Sequence, residues 1–451
     1  MTLSFREQPV IVAVSGEPVR RPYTHRSGGD TMRFFNAGAL VVLGLVACSG
    51  GDEDTSTETR GPTYDIPADL DAIADSESPS KRSEIRSAGH ISTNSILIFG
   101  GNDGPIVNQI PSAAYRKDTW IFEPGLGWTK IEGDSPSKRA RYAIASDEEN
   151  NRALLFGGRF REDGGSGDYT LYNDLWAFDF LTREWTLLDD GSGDAPAPRY
   201  YSQGMWDSST QTFYIWGGNL NTNALVFEVT DELWAWSDGT WTQLTPTGNA
   251  PSDRSFLGSL HDTARNELVI FGGQIGNLSD LAYNDTYALN IDSLEWRRLH
   301  NGKRSAAPTT RMHAQITYDP LEDRYLLFGG HTDFGDMNDL WAFDPEAGEW
   351  EEIYIADVLV GERFGCAGNP SEVPADYVEM DLSAPERRHN AMYTLMYNSL
   401  WVFGGMHAEC SDHLDDTWRY DLTDNTWHEL IEATSGESCL RADDACDCLC
   451  I

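Results

Sequence analysis

Basic residues are scarce in this 451-residue chain: 33 Lys and Arg face 72 Asp and Glu, a formal net charge of −39. Neutralising phosphates takes a basic surface, so nucleic acid is excluded as a partner, and so is attraction of the folded part to anionic lipid headgroups. The acidity itself reads as solubility and self-repulsion. Long apolar runs are also missing. The run Ala37–Ala47 is too short, and ends too abruptly, for a stable spanning helix. Cysteine is sparse, seven in all, and Cys439, Cys446, Cys448 and Cys450 crowd into the last stretch. No nucleophile elbow, metalloprotease helix motif or phosphate loop occurs, so no reaction is legible from a motif.

Apolar residues, by contrast, make up 40% of the chain, enough for a large core. The 15 Trp and 42 Gly suit strands joined by tight turns better than helices. An apolar run ending in Gly-Gly recurs six times, with the first glycine at Gly100, Gly157, Gly217, Gly272, Gly329 and Gly404. An acid and an aromatic follow each pair, as in Asp118-Thr119-Trp120, Asp174-Leu175-Trp176, Glu232-Leu233-Trp234, Asp285-Thr286-Tyr287, Asp339-Leu340-Trp341 and Asp416-Thr417-Trp418. A Trp then opens a further strand: Trp128, Trp185, Trp241, Trp296, Trp350 and Trp427. Arg82, Arg139, Arg199, Arg254 and Arg311 each lie 18 residues before the first glycine, and Arg387 lies 17 before the sixth. A repeat near this length, carrying an apolar strand buried on both faces, predicts one four-stranded blade per unit. Closing the blades into a ring leaves only short, protected sheet edges. The fold expected is all-β: a six-bladed β-propeller over residues 79–432, with strands a to d in each blade.

These repeats resemble the kelch family, and their length is nearest the galactose-oxidase-type kelch repeat. The resemblance runs from about Pro79 to Leu430. Two features set an enzyme of that type apart from this chain. Galactose-oxidase-like enzymes use two Tyr and two His on copper, with one Tyr cross-linked to a Cys. Here no Cys lies in a blade core, and no further domain follows the propeller. Nor do the catalytic residues of kelch-type sialic acid epimerases match positions here.

In an up-down blade the b–c and d–a loops emerge on one face, and here those loops are long and unlike one another, which places binding on that face. Two readings stand for the repeated arginines. They form a ring of anion ligands at the channel mouth, or each pairs with an acid of its own or the neighbouring blade, such as Asp174 or Asp339. The residues two places on, Glu84, Arg141, Tyr201, Phe256, His313 and His389, vary more and are the best channel-lining candidates. The mouth set expected is therefore Arg199, Tyr201, Arg254, Phe256, Arg311, His313, Arg387 and His389. His407, Glu409 and His413, with Asp412, form a weak candidate metal cluster in the last b–c loop. No cofactor is expected, although the acidic loops Arg161–Asp168 and Asp333–Asp339 are candidate calcium ligands without EF-hand spacing.

The amino-terminal part reads as targeting. Met32-Arg33-Phe34-Phe35, the apolar run and small residues before a cut make a secretory signal over residues 32–48, with residues 1–31 a mis-called extension. Leu45-Val46-Ala47-Cys48 resembles the lipobox of bacterial lipoproteins, which implies acylation of Cys48 and, with Ser49 following, an outer-membrane location facing either the periplasm or the outside. Residues 49–78 have the composition of a flexible acidic tether. Removing residues 1–48 takes away five Arg and three acids, leaving 28 basic and 69 acidic residues, or −41, so the acidity belongs to the folded part. Six Cys then remain, an even number in a disulfide-permissive compartment. A Cys366–Cys410 bridge is expected across one face, the alternatives being free thiols or pairing with the Cys-rich tail, residues 433–451. A metal–thiolate cluster is the second reading of that tail. The function expected is a monomeric, non-catalytic binding protein, held to the membrane only by its lipid and presenting loops to a protein or glycan. The alternative is a carbohydrate-active or galactose-oxidase-like enzyme at the channel mouth, which an asymmetric convergence of His, Tyr and acids would favour.

Overall fold

The computed structural model describes residues 66–434, apart from 75–76, 108–109, 166, 224–225, 275–281, 304–306, 334, 357–382 and 408–411. Cys48, Cys366, Glu409, Cys410, the signal segment and the Cys-rich tail beyond 434 lie outside the described residues. Among those described there is no α-helix, and no helix is long and apolar enough to cross a membrane.

Six antiparallel sheets, each with a strand-a to strand-d meander from one repeat, form a six-bladed β-propeller. Blade one is Ser87–His90, Ser95–Phe99, Thr119–Glu123 and Gly127–Ile131. Blade two is Ala143–Asp147, Arg152–Phe160, Thr170–Asp179 and Glu184–Asp189. Blade three is Gln203–Asp207, Thr212–Trp216, Leu233–Ser237 and Thr240–Leu244. Blade four is Gly258–Asp262, Glu267–Phe271, Thr286–Asn290 and Glu295–His300, with Thr247–Gly248 added in parallel at its outer edge. Blade five is Gln315–Asp319, Arg324–Thr332, Gly335–Asp344 and Glu349–Tyr354. Blade six is Met392–Met396, Ser399–Phe403, Thr417–Asp421 and Thr426–Ile431.

The repeated residues explain the architecture. Each strand-d Trp packs at a steep angle, mostly edge to face, against the aromatic residue that precedes Gly-Gly in the previous blade. The pairs are Trp185–Phe99, Trp241–Phe156, Trp296–Trp216, Trp350–Phe271, Trp427–Phe328 and Trp128–Phe403, with ring centroids 4.7–5.3 Å apart. Interleaved aromatics supply both area and geometry between blades. In five of the six pairs the second glycine turns its N–H to the next blade; Gly101, for example, donates to the Arg139 carbonyl at 3.0 Å and Gly405 to that of Arg82 at 2.9 Å. A Cβ on Gly100 would sit 2.5 Å from the Arg139 carbonyl oxygen, and Gly100 has φ +59°. Close approach and a left-handed backbone together require glycine there.

Among the described residues, ring closure uses no exchanged strand. Blade one packs directly on blade six, through Ile96, Ile98, Trp128, Trp401 and Phe403 in one cluster. Residues 66–70, ahead of blade one, form no strand. Instead Leu70 and Ile73 cover that cluster, and Asp71 bonds Arg419 of blade six at 2.6 Å.

Candidate functional site

The strand-a arginines make the same bonds in every blade. Nη1 reaches the carbonyl of the first glycine at 3.0–3.2 Å, Nε reaches the carbonyl two residues back, and the fork meets the acid of the same blade. The pairs are Arg82–Asp118, Arg139–Asp174, Arg199–Glu232, Arg254–Asp285, Arg311–Asp339 and Arg388–Asp416. In five blades the acid also accepts from the Trp two residues on, for example Trp120 Nε1 to Asp118 at 2.8 Å. Arg199, Arg254 and Arg311 are therefore buried in pairs within their own blades.

The sixth arginine is Arg388, which corrects the expected Arg387. Five blades join strands a and b through four residues, whereas blade six uses only Tyr397 and Asn398, both at positive φ. The two missing residues move the motif Arg from 18 to 16 places before Gly404. The channel position two residues later is then Asn390, and His389 sits one place earlier.

Those channel positions share one conformation. Glu84, Arg141, Tyr201, Phe256, His313 and Asn390 have φ from +56° to +64°. Left-handed backbone at a non-glycine residue costs about 1 kcal/mol or more. The compensation is a belt of backbone hydrogen bonds between blades. Glu84 N–H donates to the Asn390 carbonyl at 3.1 Å, Arg141 to Glu84 at 3.1 Å, Tyr201 to Arg141 at 2.8 Å, and His313 to Phe256 at 2.6 Å. Glu84, Arg141, Tyr201, His313 and Asn390, with Gln203, Ser259 and Gln315, line a cavity of ≈ 120 Å³ to which all six blades contribute.

The mouth is chemically lopsided. On one side Glu84, fully buried, accepts from Arg141 Nη2 and from Arg159 Nη2 at 3.1 Å. Burial alone would raise its carboxyl, but the two guanidinium groups outweigh that and hold it at about 2. Arg141 lies over Tyr201 at 4.2 Å and Arg159 over Tyr169 at 4.2 Å, both within cation–π range. Arg141 Nε and Nη1 and Arg159 Nε are buried without a hydrogen-bond partner. An aromatic wall crosses the mouth, Tyr201–Phe256 and Phe256–His313 both at 4.8 Å, and His313 stacks on His389 at 5.4 Å. Burial, and then the charge of Arg141, push His313 well below its ordinary value, so it is neutral.

On the far side, Asp336 is fully buried, and its Oδ1 meets His331 Nδ1 at 2.7 Å and His389 Nδ1 at 2.8 Å. Strands b and c of blade five extend beyond Gly-Gly into a hairpin, which sets His331 directly opposite Asp336. His389 joins them from blade six, where a bridge to Met406 holds its backbone.

Tyr201, Phe256, His313 and His389 thus come together at the mouth. His407, His413 and Asp412 do not form one ligand set: His407 Nδ1 meets Glu386 at 3.0 Å, His413 Nε2 the Gly104 carbonyl at 2.8 Å, and Asp412 Lys81 at 2.9 Å. Arg159 and His331 were not among the sequence candidates, and Asp336 only as part of an acidic loop. Both follow a Gly-Gly directly, and the six residues there, Asn102, Arg159, Asn219, Gln274, His331 and Met406, differ from blade to blade. That variation within a strict repeat was the available signal.

Six closed four-stranded blades define a propeller with a lined central channel. Comparison with known proteins places its repeats. Residues 206–369 match the KLHDC2/KLHL20/DRC7 Kelch-repeats domain, and residues 387–430 match the Kelch motif. Kelch repeats are thus present in both of these stretches. The chain is similar to Kelch domain-containing protein 10 of Homo sapiens, 25% identical over 314 residues, covering 65% of this chain and 61% of that protein. The Mus musculus form is 24% identical over 314 residues, with the same coverage. The leucine-zipper-like transcriptional regulator 1 homolog of Drosophila melanogaster is 23% identical over 342 residues, 73% of this chain and 30% of that protein. The chain thus spans less than two thirds of the length of these relatives.

Proposed function

We propose that this chain is an exported, lipid-anchored kelch propeller of the cell envelope that, as a monomer, binds a protein or glycan at its channel mouth. The observation that carries the binding reading is the set of unfilled donors there, Arg141 Nε and Nη1 and Arg159 Nε, buried beside Tyr201. Buried donors without acceptors are uncommon in a finished interior. A carboxylate, carbonyl or sugar hydroxyl of a partner supplies the missing acceptor. Kelch propellers commonly bind proteins, which supports the same reading. The anchoring reading rests on Leu45-Val46-Ala47-Cys48 and the apolar run before it.

The test is a glycan array, and a pull-down from envelope extracts, with protein starting at Ser49. A partner held by the wild type and released by Tyr201→Ala, at unchanged melting temperature, supports the reading; equal retention by the variant overturns it. Labelled fatty acid entering the wild type but not Cys48→Ala tests the anchor. A second reading, a carbohydrate-active enzyme at the mouth, is favoured by one observation: His313, His331, Asp336 and His389 converge on one side of it.

A further inference from the structure

We propose that His331, Asp336 and His389 bind one divalent transition-metal ion. The inference stands whether the mouth serves binding or catalysis.

Among the described residues, these three offer ligand atoms that all lie within 4.8 Å of one another. Two imidazole nitrogens and one carboxylate oxygen are the donors that zinc, iron(II), manganese and cobalt accept, whereas calcium prefers an all-oxygen set. The spacing suits one ion. Bonds of about 2.0–2.1 Å to three ligands on one side of a metal put the donors about 3 Å apart. Here each Nδ1 is 2.7–2.8 Å from Asp336 Oδ1, so small rotations about the side-chain bonds open the set.

The ligands are carried by rigid parts. His331 and Asp336 are opposite each other in the blade-five hairpin, and the His389 backbone is bridged to Met406. The His389 ring is also backed by His313. Strand-borne ligands hold geometry better than loop-borne ones. Asp336 and His389 are buried, while the His331 side chain is 22% exposed, which gives an ion a way in. Three protein ligands on one side leave coordination positions for water or a bound group. Binding at Nδ1 requires the tautomer with its proton on Nε2, so a neutral ring shifts its proton from Nδ1 to Nε2 through solvent and a doubly protonated ring gives one proton to solvent, while Asp336 binds as the carboxylate.

The test uses the full chain, stripped with chelator and titrated with cobalt(II) and zinc. The expected result is one equivalent bound, a visible cobalt spectrum without thiolate charge transfer, and a rise in melting temperature on adding zinc. Asp336→Asn and His331→Gln should weaken binding by ~100-fold or more, since even outer partners of a ligand are worth about 10–100-fold. His331 is partly exposed, so its variant keeps the comparison valid if Asp336→Asn fails to fold. His407→Gln should bind as the wild type does. Absence of binding, equal binding by His331→Gln, or a thiolate band showing that the tail cysteines hold the metal overturns the proposal.

Discussion

Replacing Glu84 with Gln removes one negative charge from the channel mouth and leaves its shape nearly intact. In the native protein that carboxylate has no exposure to solvent and faces two guanidinium groups, Arg141 and Arg159. Both stay charged at any ordinary pH. Without Glu84 two buried cations lie side by side, and breaking a buried ion pair by removing one partner costs about 3–5 kcal/mol. The acid titration gives a second route to the magnitude. Burial opposes ionisation of Glu84, but the two arginines hold its carboxyl at about 2 against an ordinary 4.5. That displacement corresponds to about 3 kcal/mol of stability. The folded value lies below the unfolded one. The contribution is therefore complete above the ordinary glutamate range and drains away as pH falls toward the folded value. Urea unfolding of the wild type and Glu84→Gln should differ by about 3 kcal/mol at pH 7 and by about 1–2 kcal/mol at pH 3. A difference under about 1 kcal/mol at pH 7, or one that is the same at both pH values, refutes the account, because either means that the pair is solvated or that Gln satisfies both arginines.

Trp128→Ala removes the ring that packs edge to face with Phe403 and the Nε1–H bond to Thr417 at 3.1 Å, both across the blade one–six seam. A loss of about 3–5 kcal/mol in thermal or urea unfolding is expected. Arg311→Gln strands the buried Asp339 and should cost about 3–5 kcal/mol; Arg311→Lys should recover only part of this, because a point charge cannot reproduce the two-pronged bond. Gly158→Ala places a Cβ 2.9 Å from the Ala140 carbonyl oxygen at φ +102°, so it should cost clearly more than Gly193→Ala, where nothing lies within 4 Å and the cost is only the backbone strain at φ +78°, about 1 kcal/mol. The bond from Arg419, against some burial, holds the Asp71 carboxyl below its ordinary value, so the ion pair is present at neutral pH and lost on acidification. The site is open, however, and Asp71→Asn should change stability by less than about 1 kcal/mol.

Blade number and the recurrence of Gly-Gly were legible because a propeller repeats one local solution six times. Each repeat must place an apolar strand between two neighbours, and the residues that do so recur at near-constant spacing. The same regularity misled at one place. A turn of two residues instead of four, Tyr397-Asn398, shifts the register of blade six, and only the bonds of Arg388 to Gly404 and Asp416 reveal which of two adjacent arginines carries the motif. All the channel positions but Asn390 were found by counting from the arginine. Their left-handed backbone was not, because that conformation is imposed by the belt of hydrogen bonds between blades and not by the residues themselves.

What the sequence determined by itself was therefore the local chemistry of a blade: which strand is buried, which acid follows Gly-Gly, and where Trp and Arg recur. These depend on neighbours a few tens of residues apart within one sheet. The tertiary structure alone decided which side chains meet across blades. Glu84 and Arg159 lie 75 residues apart, and Asp336 and His389 lie 53 apart, yet each pair is joined at the mouth. Closing the ring brings the start of every strand a to one axis, where the hairpin of blade five also arrives. Adjacency there is fixed by the geometry of closure, for which no local pattern exists.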